Sequence, residues 1–426
     1  MKWVSAEFDD FKESWVELDK REKFACINLI LILLFNHHWY LTWFLSGEIY
    51  KVFFLFTTSL SLLLLNISVE MSTYIQRVVL LFVLFIIYFT LPVFGHSFSL
   101  GQFVGDVLLL LCIFYHEQIY KDTYKLLRQV MFVVCVSSII MWIIHFWGGD
   151  LPNYHVTNFN WRERLTDSYK IYGTSVSMYF NNGFMNGIER CNGVFGEPGH
   201  FGIFLGFIIA ANKFRFKNAH DYVFLIAGIL TFSTAFFGIL AIGFLYRIMN
   251  YQQSKKDLVV VTLAGCMALP VLLSNAGIYE SVIGRVLKDR ETISVNEMVE
   301  QRTLESTKLY YDNLMRTDQK WYGVGSTPSV TADSSTILQY TNWRGGVYRF
   351  GIIGMTILCL LICYMTVICD RKYAIMILAI MALIMSHRMY QVTTWGLLLL
   401  EFMAIQLNAI ESDDDSELSE SEAQTI

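Results

Sequence analysis

The chain has 426 residues, of which 54% are hydrophobic and 16% charged, where an average soluble domain carries about 25% charge. Its 32 Lys and Arg against 37 Asp and Glu leave a formal net charge of −5, which gives no basis for nucleic-acid binding. Composition excludes a soluble globular domain, a disordered chain and a disulfide scaffold, and predicts an all-α polytopic membrane protein. Residues 1–23 are charged, with Val4, Phe8, Phe11, Trp15 and Leu18 at helical spacing, so a cytoplasmic amphipathic helix is expected at the membrane interface. The transmembrane domain covers 24–410, and the last 16 residues, 411–426, read as a solvated acidic tail with Asp413, Asp414, Asp415, Glu417, Glu420 and Glu422.

A span needs about 20 mainly apolar residues, fewer when its end is snorkelled or the segment is re-entrant. The candidates in chain order are 24–44, 52–69, 78–95, 101–115, 129–147, 194–212, 222–233, 234–248, 258–275, 346–369, 373–387 and 392–409. The stretch 222–248 reads either as one helix or as two short helices turning at Thr231-Phe-Ser-Thr234. Two helices keep Lys213, Arg215, Lys217, Arg247, Lys255 and Lys256 on one side, so the hairpin is preferred, giving about 12 spans. The other short-loop charges (Lys2 to Lys23, Arg77, Lys121, Lys125, Arg128, Arg371 and Lys372) fall on the same side. The positive-inside rule makes that side cytoplasmic, with both termini there. No secretory pattern opens the chain.

Two long loops, about 148–193 and 276–345, then lie on the outer face. Ten of the 16 arginines are outside, against five of the 16 lysines. Lysine suffices for topology, whereas arginine presents the better fork to phosphate oxygens. The outer face therefore looks built for an anionic ligand. Seven of the eight cysteines fall in or beside apolar runs and Cys191 falls in a polar loop, with no zinc-like Cys/His spacing.

Two stretches carry the chemistry. In Arg190-Cys-Asn-Gly-Val-Phe-Gly-Glu-Pro-Gly-His200, Pro198 suits the first turn of a helix, and a carboxylate at Glu197 is favoured by the helix dipole. With Arg190 close by, the helix start makes an anion site at the outer surface. The second stretch runs from Arg302 through Tyr310, Tyr311, Trp321 and Tyr322-Gly-Val-Gly325 to Asn342-Trp-Arg344 and Arg349. Spacing predicts a loop helix over Glu297–Met315, Gly323 and Gly325 mark a turn, and Arg344 and Arg349 flank the mouth of the next span. Trp161, Tyr169, Tyr172, Tyr310 and Trp343 are candidates for stacking on sugar rings.

The order of these pieces resembles the bacterial O-antigen and capsule repeat-unit polymerases, the Wzy-type enzymes, and their relative the O-antigen ligase. The resemblance covers about residues 185–400. It rests on Arg190, Gly193 and Glu197-Pro-Gly199, on Thr231-Phe-Ser-Thr-Ala235, on Arg302 with Tyr322-Gly-Val-Gly325, and on Gly351-Ile-Ile-Gly354. It implies a GT-C-like glycosyltransferase of the bacterial inner membrane, joining repeat units carried on undecaprenyl diphosphate at the periplasmic face. A chain-length regulator and a flippase are the implied partners, beside membrane lipids, and no cofactor is implied.

Departure of a diphosphate demands charge neutralisation by a metal or by guanidinium groups. The outer loops hold no Asp-x-Asp pair; the one in the chain, Asp413/Asp415, is in the tail. The leaving group is therefore assigned to Arg190, Arg302 and Arg344, with Arg388 as a fourth and His387 beside it, without a metal. Glu197 or His200 is the candidate general base for the acceptor hydroxyl. The ligase, the first alternative, carries a functional His in its second large outer loop, and Ile278–Val347 contains none. A lipid-linked saccharide transporter or flippase is the second alternative, although no internal repeat is visible and few ionisable groups fall at mid-span.

Overall fold

A computed structural model describes residues 11–35, 47–65, 71–95, 98, 100, 103, 104, 107, 111–147, 153–156, 169–174, 177–180, 190–250, 305–324, 343–369, 373–388 and 395–407. The expected span at 258–275 and the acidic tail lie outside the described residues. In chain order the helices are α1 (Lys20–Phe35), α2 (Gly47–Leu65), α3 (Met71–Phe85), α4 (Glu117–Phe146), α5 (Pro198–Ala211), α6 (Ala219–Leu230), α7 (Thr234–Asn250), α8 (Glu305–Met315), α9 (Trp343–Cys369), α10 (Ala374–Arg388) and α11 (Trp395–Leu407). Among the described residues the protein is mostly helical, and three stretches, Gln76–Phe94, Glu117–Ile144 and Trp343–Thr366, are long and apolar enough to cross a membrane.

The fold is not wholly helical. Between α4 and α5 lies a four-stranded antiparallel meander, β1 (Asn153–Val156), β2 (Tyr169–Thr174), β3 (Ser177–Phe180) and β4 (Arg190–Gly193), in the order β1-β2-β3-β4. Its segments are rich in aromatic and β-branched residues, which suit a pleated surface. In β4, Gly193 pairs with Met178 and Cys191 with Tyr179, so Asn192 is the extra residue of a β-bulge. Cys191, expected in a polar loop, is fully buried in this strand.

The chain divides into two compact units: Met1–Gly47, Gln118–Thr292 and Ile405–Ile426, then Glu48–Glu117 and Ile293–Ala404. In the first, residues 11–17 are helical, with Phe11 and Trp15 ring centroids 5.7 Å apart, as the apolar spacing predicts. Asp19 then starts α1 with a capping box. Its Oδ1 accepts from the Arg21 and Glu22 amides at 2.7 and 2.8 Å, and its own amide donates to Glu22 Oε2 at 2.9 Å. These bonds, that of Glu22 foremost, hold its carboxyl below the usual value. Helix α5 is apolar all round and buried along its whole length, as such a helix must be. Gly202 lets the α6–α7 break approach closely and Gly206 lets α7 do so, since a Cβ at Gly202 would lie 2.8 Å from Ser233 Cβ and one at Gly206 2.7 Å from Ile239 Cδ1.

In the second unit, α2 is polar inward and apolar outward. Thr58 and Ser61 are buried, Ser61 sharing a hydrogen bond with the Tyr115 hydroxyl, whereas Phe56 and Leu63 are 66% and 79% exposed. That inversion suits a lipid-facing surface. Helix α3 passes through a π turn at Ile86–Thr90 before resuming at Leu91–Phe94; Pro92 lacks the N–H that a regular helix would use there. Helix α9 is broken at Gly351 (φ 68°, ψ 178°). The Tyr322-Gly-Val324 segment enters the break, with the Val324 amide donating to Tyr348 O at 2.8 Å. Gly323 and Gly351 face each other so closely that a Cβ on either would overlap the other's backbone.

Candidate active site

The stretch Arg190–His200 singled out in the sequence is built on β4, the loop after it and the first turn of α5. Pro198 occupies the first helical position, and Glu197 is the N-cap in extended conformation, its side chain making no capping hydrogen bond. The His200 and Phe201 amides donate to Glu197 O at 3.1 and 3.3 Å. One helical turn places His200 Nε2 3.9 Å from Glu197 Oε2, with side-chain exposures of 10% and 27%. The two base candidates therefore form a pair: a carboxylate partly open to solvent, backed by a nearly buried imidazole.

Arg190 has a different place from the one expected. Its Nε donates to Thr231 O at 2.8 Å and its Nη2 to Phe232 O at 3.1 Å. It fastens β4 onto the break between α6 and α7, where the carbonyls at the end of α6 need donors. Two of its N–H groups are thus committed to the fold. Phe232 adopts φ 45°, and the Thr231 hydroxyl donates to Gly228 O at 2.6 Å while accepting from the Ser233 amide at 3.2 Å.

The hairpin expected at Thr231–Thr234 is present. Arg247 Nη1, near the end of α7, donates at 2.6 Å to the carbonyl of Phe214, which precedes α6. Lys213, Arg215, Lys217 and Arg247 therefore gather at one end of α5, and Glu197 and His200 stand at the other. The 14 residues of α5 span about 21 Å at 1.5 Å per residue.

The basic end is closed by a buried ion pair that sequence reasoning missed. Arg128 Nη2 donates to Asp221 Oδ1 at 2.9 Å, the two side chains being 8% and 3% exposed. Asp221 Oδ1 also accepts from Asn212 Nδ2 at 3.0 Å, and Oδ2 from the Lys217 and Asn218 amides at 3.1 and 3.2 Å. Arg128, Lys121 and Lys125, expected in a loop ahead of a span at 129–147, lie instead on α4, which begins at Glu117. Beside the pair, His220 stacks on Phe132 at 4.1 Å and meets Gln129 Oε1 at 3.1 Å.

In the second unit, the expected loop helix appears as α8. Tyr310 and Tyr311 set it against α9, through Tyr348 at 6.1 Å and Trp343 at 5.6 Å. Arg344, in the first turn of α9, lies over the Tyr311 and Trp343 rings at 5.9 and 5.5 Å, which orients its guanidinium. Arg349 lies over Phe350 at 4.7 Å. Arg388 ends α10; its side chain and that of His387 are outside the described residues, as are Arg302 and Gly325.

Fold and site together define a mostly helical, largely apolar protein with helices fit to cross a membrane. No family model, curated protein or solved structure matches the chain.

Proposed function

We propose that the chain is a GT-C-like glycosyltransferase with about 12 spans, both termini in the cytoplasm. It polymerises undecaprenyl-diphosphate-linked repeat units at the outer face of a bacterial inner membrane. The observation that carries the reading is the Glu197–His200 pair, 3.9 Å apart, at the end of α5 opposite the Lys213/Arg215/Lys217/Arg247 cluster. On the positive-inside rule the cluster is cytoplasmic and the pair faces outward, where finished repeat units are joined.

The acceptor hydroxyl oxygen bonds to the anomeric carbon of the donor chain as the bond from that carbon to the diphosphate oxygen breaks. The diphosphate leaves with the electron pair, and the hydroxyl proton passes to Glu197 or His200. Arg302, Arg344 and Arg388 are assigned to the diphosphate. Arg190 serves first as the anchor of β4.

Deleting the gene tests the activity. A polymerase mutant carries single repeat units on its acceptor; a ligase mutant carries none, and that outcome would replace this reading with the ligase. The arginine assignment has its own test. Arg302→Lys and Arg344→Lys keep the charge but lose the bidentate fork, and about a hundredfold loss of polymerisation rate is expected for each lost contact. Activity abolished by EDTA and restored by a divalent ion would give the arginines' role to a metal.

A further inference from the structure

We propose that Asn192 contacts the saccharide of the lipid-linked unit, its side-chain amide reserved for a hydroxyl or acetamido group. This rests on the polymerase reading and adds to it a residue that recognises sugar rather than diphosphate. Asn192 is fully buried, and neither its Oδ1 nor its Nδ2 has a hydrogen-bond partner. A buried amide with both atoms unmatched bears its whole desolvation penalty without return, and an apolar residue of the same shape would serve the fold better.

Polar side chains close to Asn192 in the sequence and at the α6–α7 break do find partners. Arg190, two residues earlier, reaches two carbonyls, and the Thr231 hydroxyl both donates and accepts. Asn192 is also the residue inserted by the bulge in β4, a device that re-aims one side chain and recurs beside active sites. It lies five residues before Glu197, in the strand packed against α5.

The chemistry of the amide selects the ligand. It offers an acceptor and a two-proton donor side by side. A diphosphate supplies acceptors only and would leave Oδ1 unmatched. Vicinal hydroxyls or an acetamido group satisfy both atoms. Because the amide is covered, sugar binding must displace what covers it, and so couples to a local opening of β4.

The test uses the purified full chain as wild type, Asn192→Leu and Asn192→Ala. Two probes are titrated: undecaprenyl diphosphate, and the lipid-linked saccharide fraction extracted from cells lacking this chain. Asn192→Leu should unfold at or above the wild-type temperature. Both variants should bind undecaprenyl diphosphate normally and the saccharide-bearing lipid about tenfold more weakly or worse. Undiminished binding of the saccharide-bearing lipid by either folded variant would overturn the proposal and leave the polymerase reading standing. Weaker binding of both probes together would make the amide structural and overturn it as well. A wild type that binds neither probe removes the polymerase reading and this inference with it.

Discussion

The two ends of α5 are built on opposite plans. At the Lys213/Arg247 end, Asp221 accepts from Arg128 in a buried ion pair, and also from Asn212 and from two backbone amides. At the Pro198 end, a bulge carries the unmatched amide of Asn192, and Glu197 stands 27% exposed without a capping bond, 3.9 Å from His200. A fastening pairs its buried charges because an unpaired charge there only costs stability. A site keeps polar atoms in reserve because their partner arrives with the substrate. The contrast separates the part of the helix bundle that holds it together from the part assigned to chemistry.

The sharpest way to break this comparison is at the Asp221 end. Asp221→Ala strands a buried guanidinium and two capped amides, and should lower stability by about 3–5 kcal/mol. Equilibrium unfolding in detergent measures it, and an unchanged midpoint would mean that Arg128 finds another partner. A smaller loss is expected where β4 is fastened to the α6–α7 break. Arg190→Lys cannot reach both Thr231 O and Phe232 O with a planar fork, and should cost about 1–2 kcal/mol. If stability is untouched while polymerisation falls, Arg190 acts on substrate and not on the α6–α7 break. The smallest effect belongs to Glu197→Gln. It removes no hydrogen bond from the N-cap, and its unfolding midpoint should stay within about 0.5 kcal/mol of wild type. A large fall would place Glu197 with the fastenings and erase the contrast.

Much of this plan was legible in the sequence. Side-by-side Lys and Arg groups chose the hairpin at Thr231–Thr234, and the Arg247–Phe214 contact has the geometry that choice requires. Glu197-Pro198 marked the start of α5 because proline at the first helical position follows from backbone chemistry alone. What escaped depends on tertiary placement. Arg128 counted only as a topology charge, since its pairing with Asp221, 93 residues away, leaves no periodic trace. The sheet was missed because Tyr169 and Tyr172 were read as aromatic loop residues; in β2 they pair with Val156 and with Asn153 and Tyr179. Asn192 looked like one more polar residue among glycines until its burial was known. The break in α9 was hidden because a glycine in an apolar run reads as ordinary span composition, and only the approach of Gly323 explains it.

The most direct measurement is the polymerisation rate of purified Glu197→Gln and His200→Ala on lipid-linked repeat units, beside their unfolding midpoints. A general base contributes about a hundredfold or more in rate, so at least one variant should lose that much while remaining as stable as wild type. Polymer made by both variants at the wild-type rate would contradict the assignment of the Glu197–His200 end of α5 to acceptor activation.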